Sequence, residues 1–268
     1  MKDRPKWFAR RPLIYDELWN TALQHHPIVR RCTSTEQDAL RPLAERFLRT
    51  MQIRWAPGME PRESARVSLA VLACLPVLNL DLRWYRRWRT VLLVPRDYRT
   101  ESVEIDEAGV VHEGISDAAG EYSQMGTVVL SVADIEQSGK GTGFNVVIHE
   151  CAHVLDNANG ALDGVPPLHA GMDRSLWCSL FSGAYEDLQR RLTGDGSRGR
   201  QRQRDKRGVR SRDGGRSAFD PDAAESPEEF FANASELFFE QPRSLAREYP
   251  AVFRQLALFY WQEREGGD

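Results

Sequence analysis

The feature that most constrains the fold is a series of apolar residues in the middle of the chain. They recur at spacings of i, i+3, i+4, i+7, i+8 and i+11, namely Phe144, Val147, Ile148, Cys151, Ala152 and Leu155. This period matches the 3.6 residues per turn of an α-helix and gives one continuous apolar stripe. The pattern predicts a helix over about residues 143–157, with that stripe packed against a core.

The same segment carries His149, Glu150 and His153 in the pattern H-E-x-x-H. Histidines four residues apart lie on one face of a helix, so both imidazoles can bind one ion. Neutral histidine is a zinc ligand, and a glutamate beside the first ligand can act as general base on a water that the metal activates. The segment therefore predicts a Zn²⁺ cofactor and hydrolysis with Glu150 as the catalytic base. The alternative is a solvated helix face that binds no metal.

A catalytic zinc needs a third protein ligand. A histidine six residues after His153 would supply one, but Asn159 stands at that position. Further along the chain, Glu229 and Glu236 are seven residues apart and share a helix face. Ser226 and Glu229 also form a capping-box signature, in which the glutamate closes the start of a helix. Spacing alone leaves open whether Glu229 ligates or caps, and which glutamate is the ligand.

The pattern of elements predicts an α+β fold with a small mixed sheet, the helix carrying H-E-x-x-H, and additional helices at both ends. We expect residues 1–268 to form one domain. We divide it into a helical N-terminal part over 1–80, the sheet and active-site helix over 88–193, a mobile basic loop over 194–217, and C-terminal helices over 226–263.

Within these parts, apolar periodicity and turn residues predict individual elements. We place two helices over 15–50, one over 61–75, one over 172–192, and two over 226–261 that are separated at Gln241-Pro242. Ser34 or Thr35 can cap the second helix, whose apolar face carries Leu40, Leu43, Ala44, Phe47 and Leu48. The apolar face of the helix over 61–75 carries Ala65, Leu69, Leu72 and Ala73. Short runs rich in β-branched residues predict strands over 90–94, 103–105, 110–112 and 127–132, with the middle two joined as a hairpin.

Composition limits the partners and the location. The formal net charge of -3 argues against nucleic acid or an anionic membrane as the main partner, and the basic loop lacks the aromatic residues that stack on bases. The most apolar stretch, residues 67–80, is shorter than the roughly 20 residues of a membrane span. The N-terminus lacks the apolar region of a secretory signal. Four scattered cysteines favour reduced thiols and a cytoplasmic location.

Three segments together resemble the Mlc titration factor A family of bacterial zinc-dependent peptidases: HECAHVLD from His149, the Asp163-Gly164-x-Pro166 turn, and EFFANASELFFEQP from Glu229. The apolar run over 68–80 and the strand ending at Pro95 fit as well, so the resemblance covers most of the chain outside the basic loop. It implies a zincin-like core in which His149 and His153 bind the metal.

The resemblance also assigns the residues that spacing left open. It implies Glu229 as the third metal ligand and Glu236 as a residue that steadies a ligand. His112 matches a histidine that the family associates with the metal, which implies a further ligand. The alternative for His112 is a surface position at the end of a strand.

One position departs from the family pattern. Asp222 stands where the family has a tyrosine that stabilises the oxyanion, seven residues before Glu229. A carboxylate cannot donate a hydrogen bond unless it is protonated. Either another donor takes this role, with His169, Tyr185 and Tyr260 as candidates, or the activity is weak.

The resemblance implies two functions that can coexist. The first is a zinc peptidase, expected to be an aminopeptidase acting on peptide substrates. The second is binding of a transcriptional repressor, which would place the chain in the regulation of sugar uptake. The alternative to catalysis is a repressor-binding titration protein in which cleavage is weak or absent.

Overall fold

The structure, a computed structural model, describes most of the chain. Backbone is described for residues 12–95, 100–105, 111–116, 121–123, 126–201 and 217–262, and side chains for 12–95, 126–193 and 217–262. The strands are β1 (Gln52–Trp55), β2 (Thr90–Val94), β3 (Thr100–Ile105), β4 (Val111–Ser116), β5 (Glu121–Ser123) and β6 (Thr127–Ser131).

The helices lie on both sides of these strands in the sequence. They are α1 (Asp16–His25), α2 (Pro27–Arg30), α3 (Ser34–Thr50), α4 (Glu63–Cys74), α5 (Val132–Gln137), α6 (Val146–Asp156), α7 (Arg174–Gln201), α8 (Pro227–Glu240), α9 (Pro242–Glu248) and α10 (Pro250–Tyr260). Short 3-10 helices cover Leu82–Tyr85, Asn157–Asn159 and Pro221–Ala224.

The described strands form a small mixed sheet and a hairpin. The sheet order is β1-β2-β6-β5, with β1, β2 and β6 parallel and β5 antiparallel to β6. Strands β3 and β4 pair antiparallel, with Glu104 opposite His112, which confirms the predicted hairpin. Its predicted turn, residues 106–109, lies outside the described residues. The sequence did not predict β1, because this four-residue strand at the sheet edge offers only Ile53 and Trp55 as apolar positions.

The N-terminal helices depart from the prediction in two ways. Residues 16–50 form three helices, not two, because Pro27 starts the short helix α2. The cap of α3 is Thr33, not Ser34 or Thr35: its hydroxyl accepts a hydrogen bond from Glu36 N at 3.2 Å, and Glu36 binds back to Thr33 N at 2.7 Å. The predicted apolar face of α3 is buried.

Helix α4 is a central element of the core. Its residues from Val67 to Cys74 are all buried, not only the predicted face. It contacts α1, α3, α5 and α6, so it is covered on several sides. A helix in this position is apolar all round, which explains the weak periodicity of its sequence.

Helix α6 begins three residues later than the stripe predicted. Asn145 caps it, with the side-chain Oδ1 accepting a hydrogen bond from Ile148 N at 3.0 Å. Phe144 precedes the cap and is 45% exposed, so its assignment to the buried face is wrong. The other five positions of the stripe are buried, and α6 packs against α4, α8 and the sheet.

The last third of the chain also differs from the predicted boundaries. We expected a loop from residue 194, but α7 continues to Gln201. Extending an existing helix gains a hydrogen bond per residue, and α7 continues through Gly194, Gly196 and Gly199 despite their low helix propensity. The rest of the predicted loop, 202–216, lies outside the described residues. The C-terminal part has three helices, not two, because Pro250 starts a further one after α9.

The sequence also predicted that the chain has no membrane-spanning segment and forms one domain. Across the residues that the structure describes, no helix combines the length and the apolar character that crossing a membrane requires. The assignment of residues 1–268 to one domain stays a prediction.

Candidate metal centre

Helices α6 and α8 form the site, lying antiparallel against each other. His149 and His153, one turn apart on α6, point their rings at a common position, with 3.0 Å between the two Nε2 atoms. Their side chains are only 19% and 10% exposed. The alternative of a solvated face with two free histidines is therefore wrong.

Glu229 on α8 closes a triangle with the two histidines. Its Oε2 lies 3.2 Å from His149 Nε2 and its Oε1 lies 3.2 Å from His153 Nε2. Ser226 caps α8 by accepting a hydrogen bond from Glu229 N at 3.3 Å. The backbone N–H of Glu229 thus belongs to the cap, while its carboxylate faces the two histidines.

The triangle has the spacing of metal ligands. The candidate ligand atoms of His149, His153 and Glu229 all lie within 4.8 Å of one another. Zinc bonds of 2.0–2.1 Å in a tetrahedron separate neighbouring ligand atoms by about 3.3 Å. The contacts of 3.0 and 3.2 Å are close to that separation. Two nitrogens and one carboxylate also match the donor set of catalytic zinc sites, so the residues fit such an ion.

Glu236 holds His149 from the side opposite the triangle. Its Oε1 accepts a hydrogen bond from His149 Nδ1 at 2.6 Å, and its Oε2 accepts one from Asn145 N at 2.9 Å. A proton on Nδ1 leaves the Nε2 lone pair free for a metal. The geometry separates the two glutamates: Glu229 faces both Nε2 atoms, and Glu236 faces only Nδ1.

The electrostatics of the triangle favour a positive charge. Burial on its own disfavours the charged form of His149, but hydrogen bonds to Glu229 and Glu236 outweigh it and raise the pKa of His149 well above its usual value. Burial likewise opposes ionisation of Glu229, yet the two histidines hold the pKa of Glu229 well below its usual range. A cation between these three residues would meet the same attraction.

Glu150 is buried beside the triangle. It is 1% exposed, and its Oε2 has no hydrogen-bond partner among the described residues. Burial raises the pKa of the Glu150 carboxyl above its usual value. A buried carboxylate oxygen without a partner among the described residues is costly.

Comparison with known proteins decides the family. The chain matches the glucose-regulated metallo-peptidase M90 family over residues 1–261. It is 33% identical over 250 residues to Mlc titration factor A from a strain of Escherichia coli, which covers 91% of this chain and 86% of that protein. The proteins of the same name from Klebsiella pneumoniae and Escherichia fergusonii are 32% identical over 250 and 244 residues. They cover 91% of this chain, and 86% and 85% of their own lengths.

The chain belongs to the M90 metallo-peptidase family.

Membership confirms the resemblance that the three sequence segments indicated, and it implies a metal. The described residues that could hold it in this M90 protein are His149, His153 and Glu229. His112 lies in β4, and its side chain is outside the described part of the chain.

Glu240 also belongs to the candidate metal centre, although the sequence did not lead us to predict it. It is 1% exposed, and its carboxylate accepts hydrogen bonds from Gly139 N, Gly141 N and Asn145 Nδ2 at 2.8, 2.6 and 2.8 Å. It therefore ties the end of α8 to the loop that leads into α6. Glu236 and Glu240 are four residues apart and on the face of Glu229, a spacing that could have revealed it.

A strongly acidic cleft of about 570 Å³ opens over the triangle of His149, His153 and Glu229. Its lining includes the carboxylates of Glu150, Asp220, Asp222, Glu225, Glu229 and Glu236. Among the described residues that line it, none is lysine or arginine. The cleft therefore favours a positively charged ligand.

The three candidates for the missing tyrosine do not reach this cleft. The imidazole of His169 donates to Phe259 O at 2.7 Å, and Tyr260 donates to Ser235 Oγ at 2.8 Å in the core. Tyr185 binds backbone carbonyls just before α8. Each is bound elsewhere and none lines the cleft, whereas Asp222 does.

Proposed function

We propose that this chain is a zinc-dependent peptidase with a zincin-like core, in which His149, His153 and Glu229 bind Zn²⁺ and Glu150 is the general base. The observation that carries the proposal is the convergence of the three ligand atoms at 3.0–3.2 Å, on two helices that are far apart in the sequence. His112 stays a proposed fourth ligand.

In the proposed hydrolysis, Glu150 and Glu236 determine where protons are held. When bound, zinc supplies a Lewis acid that activates water and polarises the scissile carbonyl. Glu150 Oε2, which is buried and has no hydrogen-bond partner in the described part of the chain, takes the proton of the attacking water and passes it to the leaving amine. Glu236 keeps the proton of His149 on Nδ1.

We assign the role of the absent tyrosine to Asn233. It lines the cleft, is 7% exposed, and lies on α8 between Glu229 and Glu236. Its Nδ2 donates one hydrogen bond to Glu229 O at 3.1 Å, which leaves the second amide hydrogen for a ligand. A side-chain amide can stabilise an oxyanion as a tyrosine hydroxyl does.

Aminopeptidase activity is the form of cleavage that the acidic cleft supports. The free amino terminus of a peptide is positively charged, and the exposed carboxylates of Asp220, Asp222 and Glu225 line the wall that it would approach. Peptides with an unblocked amino terminus are therefore the proposed substrates.

The Glu150→Gln variant tests this function. We expect the purified variant to keep the zinc content of the wild type, because Glu150 is not a ligand, and to lose cleavage of aminoacyl chromogenic substrates. Acetylation of the substrate amino group should slow the wild type. Cleavage by Glu150→Gln at the wild-type rate would remove Glu150 from the mechanism, and a wild type that binds no zinc would overturn the proposal.

A second candidate function is favoured by the names of the relatives. They are called Mlc titration factor A, and the chain is similar to them over 91% of its length. We therefore also propose that it binds a transcriptional repressor and so regulates sugar uptake, with weak or no cleavage as the alternative to catalysis. The four cysteines are free, which supports a cytoplasmic location for both roles.

A further inference from the structure

A turn around Gly164 connects the end of α6 to the start of α8. Gly164 N donates a hydrogen bond to Oδ2 of Asp156, the last residue of α6, at 2.8 Å. Gly164 O accepts one from Trp177 Nε1 at 3.0 Å. Asp156 and Trp177 are both fully buried, so the Gly164 peptide is fixed on both sides.

Gly164 lies directly against the backbone of α8. Its φ of +74° is in the left-handed region that favours glycine. A Cβ added there would lie 2.6 Å from Pro227 O, 3.0 Å from Pro227 C and 3.5 Å from Glu228 N. These are backbone atoms of the first turn of α8, which cannot move aside as a flexible side chain can. The contact therefore sets how closely α8 approaches the turn.

Both ends of this contact are within one turn of a proposed metal ligand. His153 precedes Asp156 by three residues on α6, and Glu229 follows Pro227 by two on α8. The far ends of the two helices are joined separately, where Asn145 binds Glu236 and Glu240. The ligands thus lie between two fixed points, and metal sites tolerate only about 0.2 Å of error in ligand distances.

We propose that Gly164, held by Asp156 and Trp177, is a positioning residue that sets the spacing between α6 and α8 at which His153 and Glu229 bind one metal ion. The inference rests on the proposed zinc site. A methyl group at Gly164 must push α8 away by roughly 0.8 Å to restore an ordinary contact with Pro227 O, which exceeds the tolerance of the site. Glu229 moves with the helix.

The Gly164→Ala variant tests the proposal against a matched control, Gly171→Ala. Gly171 also has a positive φ, +98°, but an added Cβ there meets nothing within 4 Å. Both variants carry backbone strain, and only Gly164→Ala presses on α8. We expect Gly164→Ala to bind Zn²⁺ about tenfold or more weakly, measured by chelator competition. Its Co²⁺ complex should have an altered visible spectrum, whereas Gly171→Ala should match the wild type in both.

A second pair of variants covers the case in which Gly164→Ala does not fold. Asp156→Asn keeps a carbonyl oxygen for Gly164 N, whereas Asp156→Leu has the same number of side-chain heavy atoms and no acceptor. We expect Asp156→Leu to lose zinc affinity and Asp156→Asn to keep most of it. Equal zinc affinity in the two Asp156 variants, or in Gly164→Ala and Gly171→Ala, would overturn the inference alone. A wild type that binds no zinc would overturn the proposed function, and this inference with it.

Discussion

Replacing Glu236 by glutamine removes a hydrogen-bond acceptor from the carboxylate that contacts the proposed ligand His149. The two carboxylate oxygens of Glu236 accept hydrogen bonds from two donors, His149 Nδ1 at 2.6 Å and Asn145 N at 2.9 Å. In Glu236→Gln one of these oxygens becomes an NH₂ group. Whichever way the amide is turned, one donor then faces another donor.

The size of the effect follows from burial. Glu236 is 8% exposed, so water cannot readily supply the lost acceptor. A buried donor without an acceptor costs about 1–3 kcal/mol. If the NH₂ group faces His149, the ring can accept from it only by moving its proton to Nε2, which removes the lone pair that binds the metal. Because about 1.4 kcal/mol is a factor of ten, the zinc dissociation constant should rise about 10–100-fold.

Competition with a chromogenic chelator at neutral pH measures this change. The control is Glu228→Gln, which makes the same charge change on α8 at a residue that does not line the cleft. Circular dichroism and thermal unfolding of the metal-free proteins test whether both variants fold. If Glu236→Gln and Glu228→Gln bind zinc equally well, the carboxylate of Glu236 does not support His149 as we argue.

Two other predictions address the cleft and the core. Asn233→Leu should lower kcat by about 10²–10³ with zinc content unchanged, and an unaltered kcat would remove Asn233 from oxyanion stabilisation. His26 is buried, with Nδ1 donating to Ser138 O and Nε2 accepting from Ser68 Oγ, both at 2.8 Å. Burial lowers the pKa of His26 from 6.5 to about 4, so the unfolded chain binds more protons between these values. His26 should therefore reduce the free energy of unfolding by up to roughly 3 kcal/mol as the pH falls from 6.5 to 4. Urea unfolding of His26→Gln across this pH range should lack that contribution, and an identical pH dependence would contradict it.

The sequence predicted the parts of the site that depend on local periodicity. The stripe from Val147 to Leu155 predicted α6 and put His149 and His153 on one face, because a helix repeats every 3.6 residues. The α+β class and the small mixed sheet followed from runs of apolar residues. The start of α6 was wrong because Asn145 stops the helix before Phe144 can join the buried face.

The remaining features depend on packing between distant segments. The spacing of Glu229 and Glu236 fits either role, and only the family resemblance assigned Glu229 as the ligand. The contact of α6 with α8 places Glu229 against both Nε2 atoms and Glu236 against Nδ1 of His149. Glu240 binds a loop about a hundred residues earlier, and no local pattern records that contact. The sequence identified Gly164 only as a turn residue. Its contact with the backbone of Pro227 joins positions far apart in the chain, so no local pattern indicates it.

With the proposed zinc site, the burial of α8 links metal supply to the survival of the protein. This helix is buried from Phe230 to Glu240 and yet carries Glu236 and Glu240 inside, with Glu229 at its start. Without a cation these acidic groups are concentrated in a poorly solvated region, which weakens the folded state. An ion that binds only the folded chain stabilises it in proportion to the logarithm of its free concentration. If the chain binds zinc as proposed, a shortage of zinc would increase its proteolysis and remove the proposed activity together.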